Sequence, residues 1–305
     1  MAKAAPCRLS TPLSIRSRIG MNLKSYLFKL SQPMRKQVAD LQAPVFISGN
    51  GESGTHVVLD VFALSGAFSY TGTYGDRKKG LFDPTYGSKP STGSLKPIEG
   101  ILHYWSGVGL PWERPGEWEM HAPLTLKDCG KLDTEEVRRR YARAGAALPW
   151  ARSHQPKPPL DKMPTYVLMT EIIDRVFPEA RHVIVVRDPR AVWRSILRRW
   201  RDPSYDPHFQ GYPSGFYGNV FLPGHEKVLE ESDEIRIAFT TTRILELALE
   251  VKKKAPDRVF LICFEELCAN PRSILKKIEN RFSFSYADEI VNKAYPFASG
   301  AINIS

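Results

Sequence analysis

The sequence predicts an α/β fold in which a central parallel β-sheet is flanked by helices on both faces. Three short apolar runs, at residues 44–48, 182–186 and 259–264, have the length and composition of buried strands. A helical pattern follows each run, directly or after a short turn. Strands that alternate with helices usually pair in parallel, and both faces of such a sheet are covered. We therefore expect a three-layer sandwich.

The first strand leads into a turn rich in glycine and serine. Residues 45–59 read VFISGNGESGTHVVL, which predicts a strand, a turn and then a helix over Thr55–Leu64. Turns of this kind at a helix N-terminus commonly bind phosphate. The spacing from Gly49 to Gly54 fits a Walker phosphate loop, but Thr55 stands where that motif requires lysine. The turn therefore predicts an anion site without ATP and Mg²⁺ chemistry, and we expect no metal.

A segment of different composition follows the first helix. Residues 84–164 contain eleven of the 24 prolines and four of the six tryptophans, and within them only residues 133–147 look helical. We expect a single domain over residues 41–305 with an aromatic, proline-rich insertion at about 77–160. Residues 1–40 form a basic leader, which is disordered in one interpretation and a targeting segment in another.

An arginine-rich segment at residues 181–203, RHVIVVRDPRAVWRSILRRWRDP, predicts a strand, a tight turn and a helix. Asp188 suits the N-cap, and the proline after it suits the first turn. Arg187 ends the strand, so we expect it to face the crevice where open parallel sheets bind ligands. Ser195 and Arg199 share one helix face and would extend the same anion site.

The rest of the chain supplies two more helices and a second aromatic segment. Helical patterns run from Tyr166 to Phe177, before Pro178, and from Asp233 to about Lys254, before Pro256. The aromatic segment extends from Tyr205 to Phe221. No internal repeat is present.

The net charge of +10 and the pI near 9.4 favour an anionic partner. We do not expect nucleic acid, because no RRM, zinc-finger or helix-turn-helix signature is present and a smaller ligand accounts for the arginine run. Three arginines of the helix could also belong to the anion site or could form a solvated helix face. They are Arg190, Arg194 and Arg198.

The lengths of the apolar runs and the spacing of the cysteines limit the class of protein. No apolar run approaches the roughly 20 residues of a membrane span, so we expect no transmembrane segment. The four cysteines form no CxxC pair, which favours a reducing compartment. We expect a cytoplasmic protein, with organelle targeting through the basic leader as the alternative.

Three further motifs follow the turn at residues 48–55 in a fixed order. Residues 159–181 contain P-L-D-K-M-P-T-Y and F-P-E-A-R, residues 187–195 read R-D-P-R-x-x-x-x-S, and residues 264–278 read FEELCANPRSILKKI. Together the four segments resemble the motifs of sulfotransferases that use 3′-phosphoadenosine 5′-phosphosulfate (PAPS), in their bacterial, carbohydrate and tyrosylprotein branches. Phe264 stands where those branches usually have tyrosine.

The resemblance implies a P-loop-related fold and transfer of the sulfuryl group from PAPS to a hydroxyl or amine acceptor, a glycan or another alcohol, with PAP as the second product. Lys162 matches the family lysine that contacts the leaving group, and a surface lysine is the alternative. The turn would hold the 5′-phosphosulfate, while the arginine helix would hold the 3′-phosphate. The residues expected to bind the nucleotide are Gly51, Glu52, Ser53, Gly54, Thr55, His56, Arg187, Ser195 and Arg199.

Glu52 and His56 depart from the family's loop, in which a basic residue and a second threonine are usual. A carboxylate near a dianion is repulsive, so Glu52 must point away or pair with a cation, for which Lys162 and Arg187 are candidates. Both could instead be solvent-facing residues of the turn and the first helical turn. The alternative function is a PAP- or PAPS-binding protein with lost or altered transferase activity.

The catalytic base and the acceptor site are left open by the sequence. Asp76 is the nearest carboxylate after the loop, although an aspartate in a glycine-rich turn is often a turn former. His56 would be a base from within the loop, and the other rivals are Glu99, His103 and His121. The aromatic segments could stack on acceptor rings or could simply cover the sheet.

Overall fold

The structure is a computed structural model. It describes the following residues: 41–65, 67–70, 105, 108–110, 120–121, 123–147, 157–200 and 220–285. The predicted leader and much of the predicted insertion lie outside the described residues. Over the parts just given, no helix combines the length and the apolar character needed to cross a membrane.

The described elements alternate between strands and helices over most of the chain. The strands are β1 (Val45–Gly49), β2 (Ser69–Tyr70), β3 (Met120–His121), β4 (Pro159–Lys162), β5 (Arg181–Val186), β6 (Val220–Phe221) and β7 (Val259–Cys263). The α-helices are α1 (Thr55–Leu64), α2 (Thr134–Ala147), α3 (Thr170–Val176), α4 (Pro189–Trp200), α5 (Asp233–Lys254), α6 (Phe264–Ala269) and α7 (Pro271–Phe282). Two 3₁₀ helices cover Pro164–Met169 and His225–Lys227.

The central sheet is parallel, as predicted. Its five strands lie in the order β2-β4-β1-β5-β7, and every adjacent pair runs in the same direction. The register places Ile47 beside Lys162, Gly49 beside Val185, and Val186 beside Cys263. A separate pair, β3 and β6, is also parallel.

Two apolar clusters lie on opposite faces of the sheet, because alternate side chains of a strand point in opposite directions. Phe46 and Ile184 belong to one cluster, together with buried residues of α2, α3 and α5. Val45, Ile47 and Val183 belong to the other, together with buried residues of α1 and α7. The prediction of a sheet flanked by helices on both faces is confirmed.

Two elements differ from the sequence interpretation. The helix predicted from Tyr166 begins as the 3₁₀ helix Pro164–Met169, whose last four residues are all buried, and continues as α3. Strand β4 was not predicted, because its four residues, PLDK, include a proline and two charged residues. Its first three residues are nevertheless buried. This strand brings Lys162 to the sheet edge that carries the site.

Candidate functional site

The carboxyl ends of four neighbouring strands meet at one edge of the sheet. Strand β4 ends at Lys162, β1 leads into the turn at residues 50–54, Arg187 follows β5, and Phe264 follows β7. These strands are adjacent in the order β4-β1-β5-β7. Open parallel sheets bind ligands outside the carboxyl ends of their strands. Residues predicted from separate segments therefore converge on one position in the fold.

The turn after β1 is closed by its own hydrogen bonds. The backbone N–H and the hydroxyl of Ser53 both donate to the carbonyl oxygen of Asn50, at 3.2 and 2.6 Å. The side-chain amide of Asn50 in turn donates to Thr241 Oγ1 on α5, at 2.9 Å, in a buried contact. An α-helix leaves the N–H groups of its first turn without acceptors inside the helix. The turn therefore presents the N-terminus of α1, which starts at Thr55, as an anion site.

Arg187 makes three contacts, one with the turn and two with the start of α6. Its Nη1 donates to the carbonyl oxygen of Glu52 at 2.8 Å, and its guanidinium carbon lies 4.8 Å from the centre of the Phe264 ring. Its Nε lies 4.0 Å from Glu265 Oε1. That Nε is buried and has no hydrogen-bond acceptor among the described residues. Because buried donors are almost always paired, Arg187 is suited to receive a further acceptor.

Helix α4 begins where the sequence predicted, directly after Asp188. Asp188 Oδ1 accepts a hydrogen bond from the backbone N–H of Arg190 at 2.9 Å, which is the N-cap interaction. The Arg190 guanidinium also donates to Asp188 and lowers the pKa of that carboxyl to about 2. The Arg190 side chain is 82% exposed. Arg190 therefore lies on a solvated part of the helix, whereas Ser195 faces the turn and donates to Glu52 Oε2 at 3.1 Å.

Lys162 and His56 lie side by side at the end of β4. Lys162 Nζ and His56 Nε2 are 2.5 Å apart, although 106 positions separate the two residues in the chain. The ammonium group can only donate, so the imidazole nitrogen is the acceptor. The sequence offered Lys162 and Arg187 as cationic partners of Glu52. In the structure Lys162 contacts His56, and Arg187 contacts the main-chain carbonyl of Glu52.

A buried carboxylate lies next to Lys162. Asp161 Oδ2 accepts hydrogen bonds from the hydroxyls of Tyr141 and Tyr166, at 2.5 and 2.6 Å, and Asp161 Oδ1 accepts one from the backbone N–H of Lys162 at 2.8 Å. Trp105 Nε1 extends the network by donating to the Tyr141 hydroxyl at 3.0 Å. Burial raises the pKa of Asp161, and the three donors to its carboxyl act in the opposite direction. The network fixes the backbone that carries Lys162.

We expect Asp161→Ala to lower the free energy of unfolding by about 2–4 kcal/mol, because two buried tyrosine hydroxyls lose their acceptor. Urea unfolding at neutral pH measures this change. The control is Asp128→Ala, since Asp128 is exposed and its carboxyl accepts hydrogen bonds from Thr125 within its own turn. If Asp161→Ala lowered the free energy of unfolding by less than about 1 kcal/mol, no more than the control does, the network would have no structural importance.

Several predicted residues are not placed by the structure. Asp76, Glu99 and His103 lie outside the described residues. His121 is placed in β3 and Arg199 in α4 by their backbones only. In the described part of the chain, no group of three or more histidine, cysteine, aspartate or glutamate residues is arranged to hold a metal ion.

Three contributors to the site were not predicted as such. Phe264 was noted only as a departure from tyrosine, yet its ring lies against Arg187 and Gly54. Asp161 was visible in the D-K-M-P motif, but nothing in sequence indicated its burial. Thr241 contacts the turn across 191 positions of chain and gave no local signal.

Comparison with known proteins assigns the family. The model of a family described as "Sulfotransferase family" matches residues 44–288, which cover the central sheet and all four strand ends of the site. No curated protein matches the chain.

Comparison with solved structures found several sulfotransferases. They include sulfotransferase STF9 from Mycobacterium avium, with 13% identity over 94% of this chain and 73% of that chain and a TM-score of 0.45. The sulfotransferase domain from the curacin biosynthetic pathway has 15% identity over 82% of this chain and 77% of that chain, with a TM-score of 0.47. Mouse sulfotransferase SULT7A1 complexed with PAP has 12% identity over 87% of this chain and 67% of that chain, with a TM-score of 0.41. Because the family model spans most of the chain, the protein belongs to the sulfotransferase family, a family of enzymes of sulfuryl transfer.

Proposed function

We propose that this protein transfers the sulfuryl group of PAPS to a hydroxyl or amine acceptor, with a glycan or another alcohol as the acceptor class. The observation that carries the proposal is the convergence of the turn, Lys162, Arg187 and Ser195 at the carboxyl edge of one sheet. A nucleotide with phosphates at both ends of its ribose needs two anion sites close together. The N-terminus of α1 and the Arg187–Ser195 pair supply them.

The chain's residues fit the two phosphates differently. At the 5′ end, Gly54 and Thr55 would hold the phosphosulfate through their backbone N–H groups and the Thr55 hydroxyl at the start of α1, while the N–H and the hydroxyl of Ser53 shape the turn by donating to Asn50. At the 3′ end, Arg187 would use its Nε, which has no hydrogen-bond acceptor among the described residues, and the Ser195 hydroxyl would act as a second donor. Arg199, one turn beyond Ser195, is proposed as a further cation of the same site.

For the chemistry we assign Lys162 to the leaving group and His56 to the acceptor. In the transfer, the bond between sulfur and the bridging oxygen breaks while a bond from the acceptor oxygen to sulfur forms. Lys162 would stabilise the negative charge that develops on the bridging oxygen. His56 would take the acceptor's proton, provided that Lys162 turns from His56 Nε2 toward the leaving group. Asp76 remains the alternative base.

Gly54→Ala is expected to weaken PAP binding by about 30-fold or more, because the turn cannot keep its shape. The φ of Gly54 is +90°, and an added Cβ would lie 2.3 Å from ring carbons of Phe264. Isothermal titration with PAP measures the effect. The control is Gly130→Ala, where the nearest atom to an added Cβ is 4.0 Å away. Unchanged PAP affinity in Gly54→Ala would contradict the assignment of the turn.

A second candidate function is a nucleotide-binding protein without transferase activity. The contact between Glu52 and Ser195 favours it, because a carboxylate then occupies a group proposed to bind phosphate. Such a protein would bind PAP but leave PAPS intact in the presence of every acceptor. Turnover of PAPS therefore separates the two functions.

The proposed function is tested first by thermal unfolding with added nucleotides. PAP at saturating concentration is expected to raise Tm by about 5 °C or more through ligand linkage. ATP with Mg²⁺ is expected to raise it much less, because the loop lacks the Walker lysine. No shift with PAP, or an equal shift with ATP, would contradict the assignment.

A further inference from the structure

Glu52 and Ser195 form a direct contact between the turn and the arginine helix. The Ser195 hydroxyl donates to Glu52 Oε2 at 3.1 Å, and 143 positions separate the two residues. Both residues are partly buried. The contact therefore joins two elements of the site and is partly shielded from solvent.

The backbone of Glu52 is shaped to make this contact. Its φ is +61°, in the left-handed region that residues with a side chain seldom adopt. In this conformation its carbonyl oxygen accepts from Arg187 Nη1 at 2.8 Å while its carboxylate accepts from Ser195. One residue thus supplies acceptors to both side chains that we assign to the 3′-phosphate.

We propose that Glu52 is a specificity-determining residue, whose carboxylate competes with a nucleotide's 3′-phosphate for the hydroxyl of Ser195, which lies with Arg187 at this site. The proposal rests on the proposed function, since it assumes that these two side chains hold the 3′-phosphate. A carboxylate and a phosphate dianion repel each other and cannot share one hydroxyl donor. In dinucleotide-binding folds an acidic residue likewise selects a ribose hydroxyl, whereas arginine accommodates a phosphate there.

The contact between Glu52 and Ser195 affects the binding of two nucleotides differently. PAP must displace the Glu52 carboxylate from Ser195 before its 3′-phosphate can bind. Adenosine 5′-monophosphate (AMP) carries a 3′-hydroxyl and can bind with the contact in place. Glu52 therefore lowers the affinity for PAP and leaves that for AMP nearly unchanged.

Isothermal titration of PAP and AMP into wild type and Glu52→Gln tests this consequence. Glutamine keeps the length of the side chain and removes the charge. We expect the Kd of PAP to fall by about tenfold or more and that of AMP to change by less than about threefold. Glu250→Gln on α5, which removes an exposed carboxylate, controls for net charge and is expected to change neither.

The Ser195→Ala background provides a second readout, because it removes the hydroxyl for which the two anions compete. We expect the gain in PAP affinity from Glu52→Gln to shrink to less than about threefold in that background.

Three results would overturn the proposal. They are an equal gain for PAP and AMP, a loss of PAP affinity in Glu52→Gln, and an unchanged gain in the Ser195→Ala background. The proposed function fails in a different way, namely if neither wild type nor Glu52→Gln binds PAP.

Discussion

Arg187→Ala is expected to abolish most of the Tm increase that PAP gives and to weaken PAP binding by about 100-fold or more. Arg187 lies 13% exposed against the turn and contacts both the Glu52 carbonyl and the Phe264 ring. Loss of its guanidinium removes the principal cation assigned to the 3′-phosphate. Thermal unfolding with and without PAP measures the effect.

The matched control for this variant is Arg198→Ala. Arg198 lies on the same helix, α4, but is exposed. We expect its PAP-induced shift to equal that of wild type. If Arg187→Ala and Arg198→Ala responded to PAP alike, the account of the arginine helix would be wrong.

Lys162→Met is expected to lower kcat for sulfuryl transfer by about 100-fold or more, because the charge on the leaving oxygen loses its cation. PAP affinity should change by less than about threefold, since the phosphates are assigned to other residues. Turnover of labelled PAPS, with an acceptor chosen from a panel of glycans, phenols, lipids and peptides, gives kcat and KM. Lys276→Met, at an exposed lysine on α7, is the control for loss of one positive charge.

A fall in PAP affinity as large as the fall in kcat would count against this role. It would show that Lys162 holds the nucleotide in the ground state instead of stabilising the transition state. His56→Ala adds a further comparison. If His56 is the base, this variant should also reduce kcat without a matching loss of PAP affinity.

The parts of the fold that sequence predicts best are those with strong local patterns. Strands β1, β5 and β7 are apolar runs, and helix α1 spans Thr55–Leu64 as predicted because its pattern begins directly after the glycine-rich turn. Strand β4 has no such pattern. The buried carboxylate of Asp161 in this strand accepts hydrogen bonds from the hydroxyls of Tyr141 and Tyr166. A sequence does not show that pairing.

The candidate site likewise contains positions that local sequence patterns predict and contacts that they do not predict. The position of Arg187 next to the turn was predictable because it directly follows a strand, and that of Ser195 because it lies nearly two turns into the helix that follows. The partners of Glu52 were not predictable, because they depend on how the turn bends. A left-handed Glu52 directs its carbonyl to Arg187 and its carboxylate to Ser195.

Glu52 also connects the two candidate functions. In both, the turn and α4 bind a nucleotide, and the carboxylate at position 52 weakens the hold on its 3′-phosphate. In a working transferase, a weaker hold on PAP would favour release of the product, a step that limits many enzymes. In a protein without transferase activity, it would only lower affinity. The distinction therefore lies in turnover and not in binding.

Transfer of radiolabelled sulfate from PAPS to a panel of glycans, phenols, lipids and peptides tests the central claim most directly. The account predicts that the wild-type protein labels at least one class of acceptor, releases PAP in equal amount, and loses this activity in Lys162→Met. Label that stays on PAPS with every acceptor, in a protein whose Tm PAP does not raise, would contradict it.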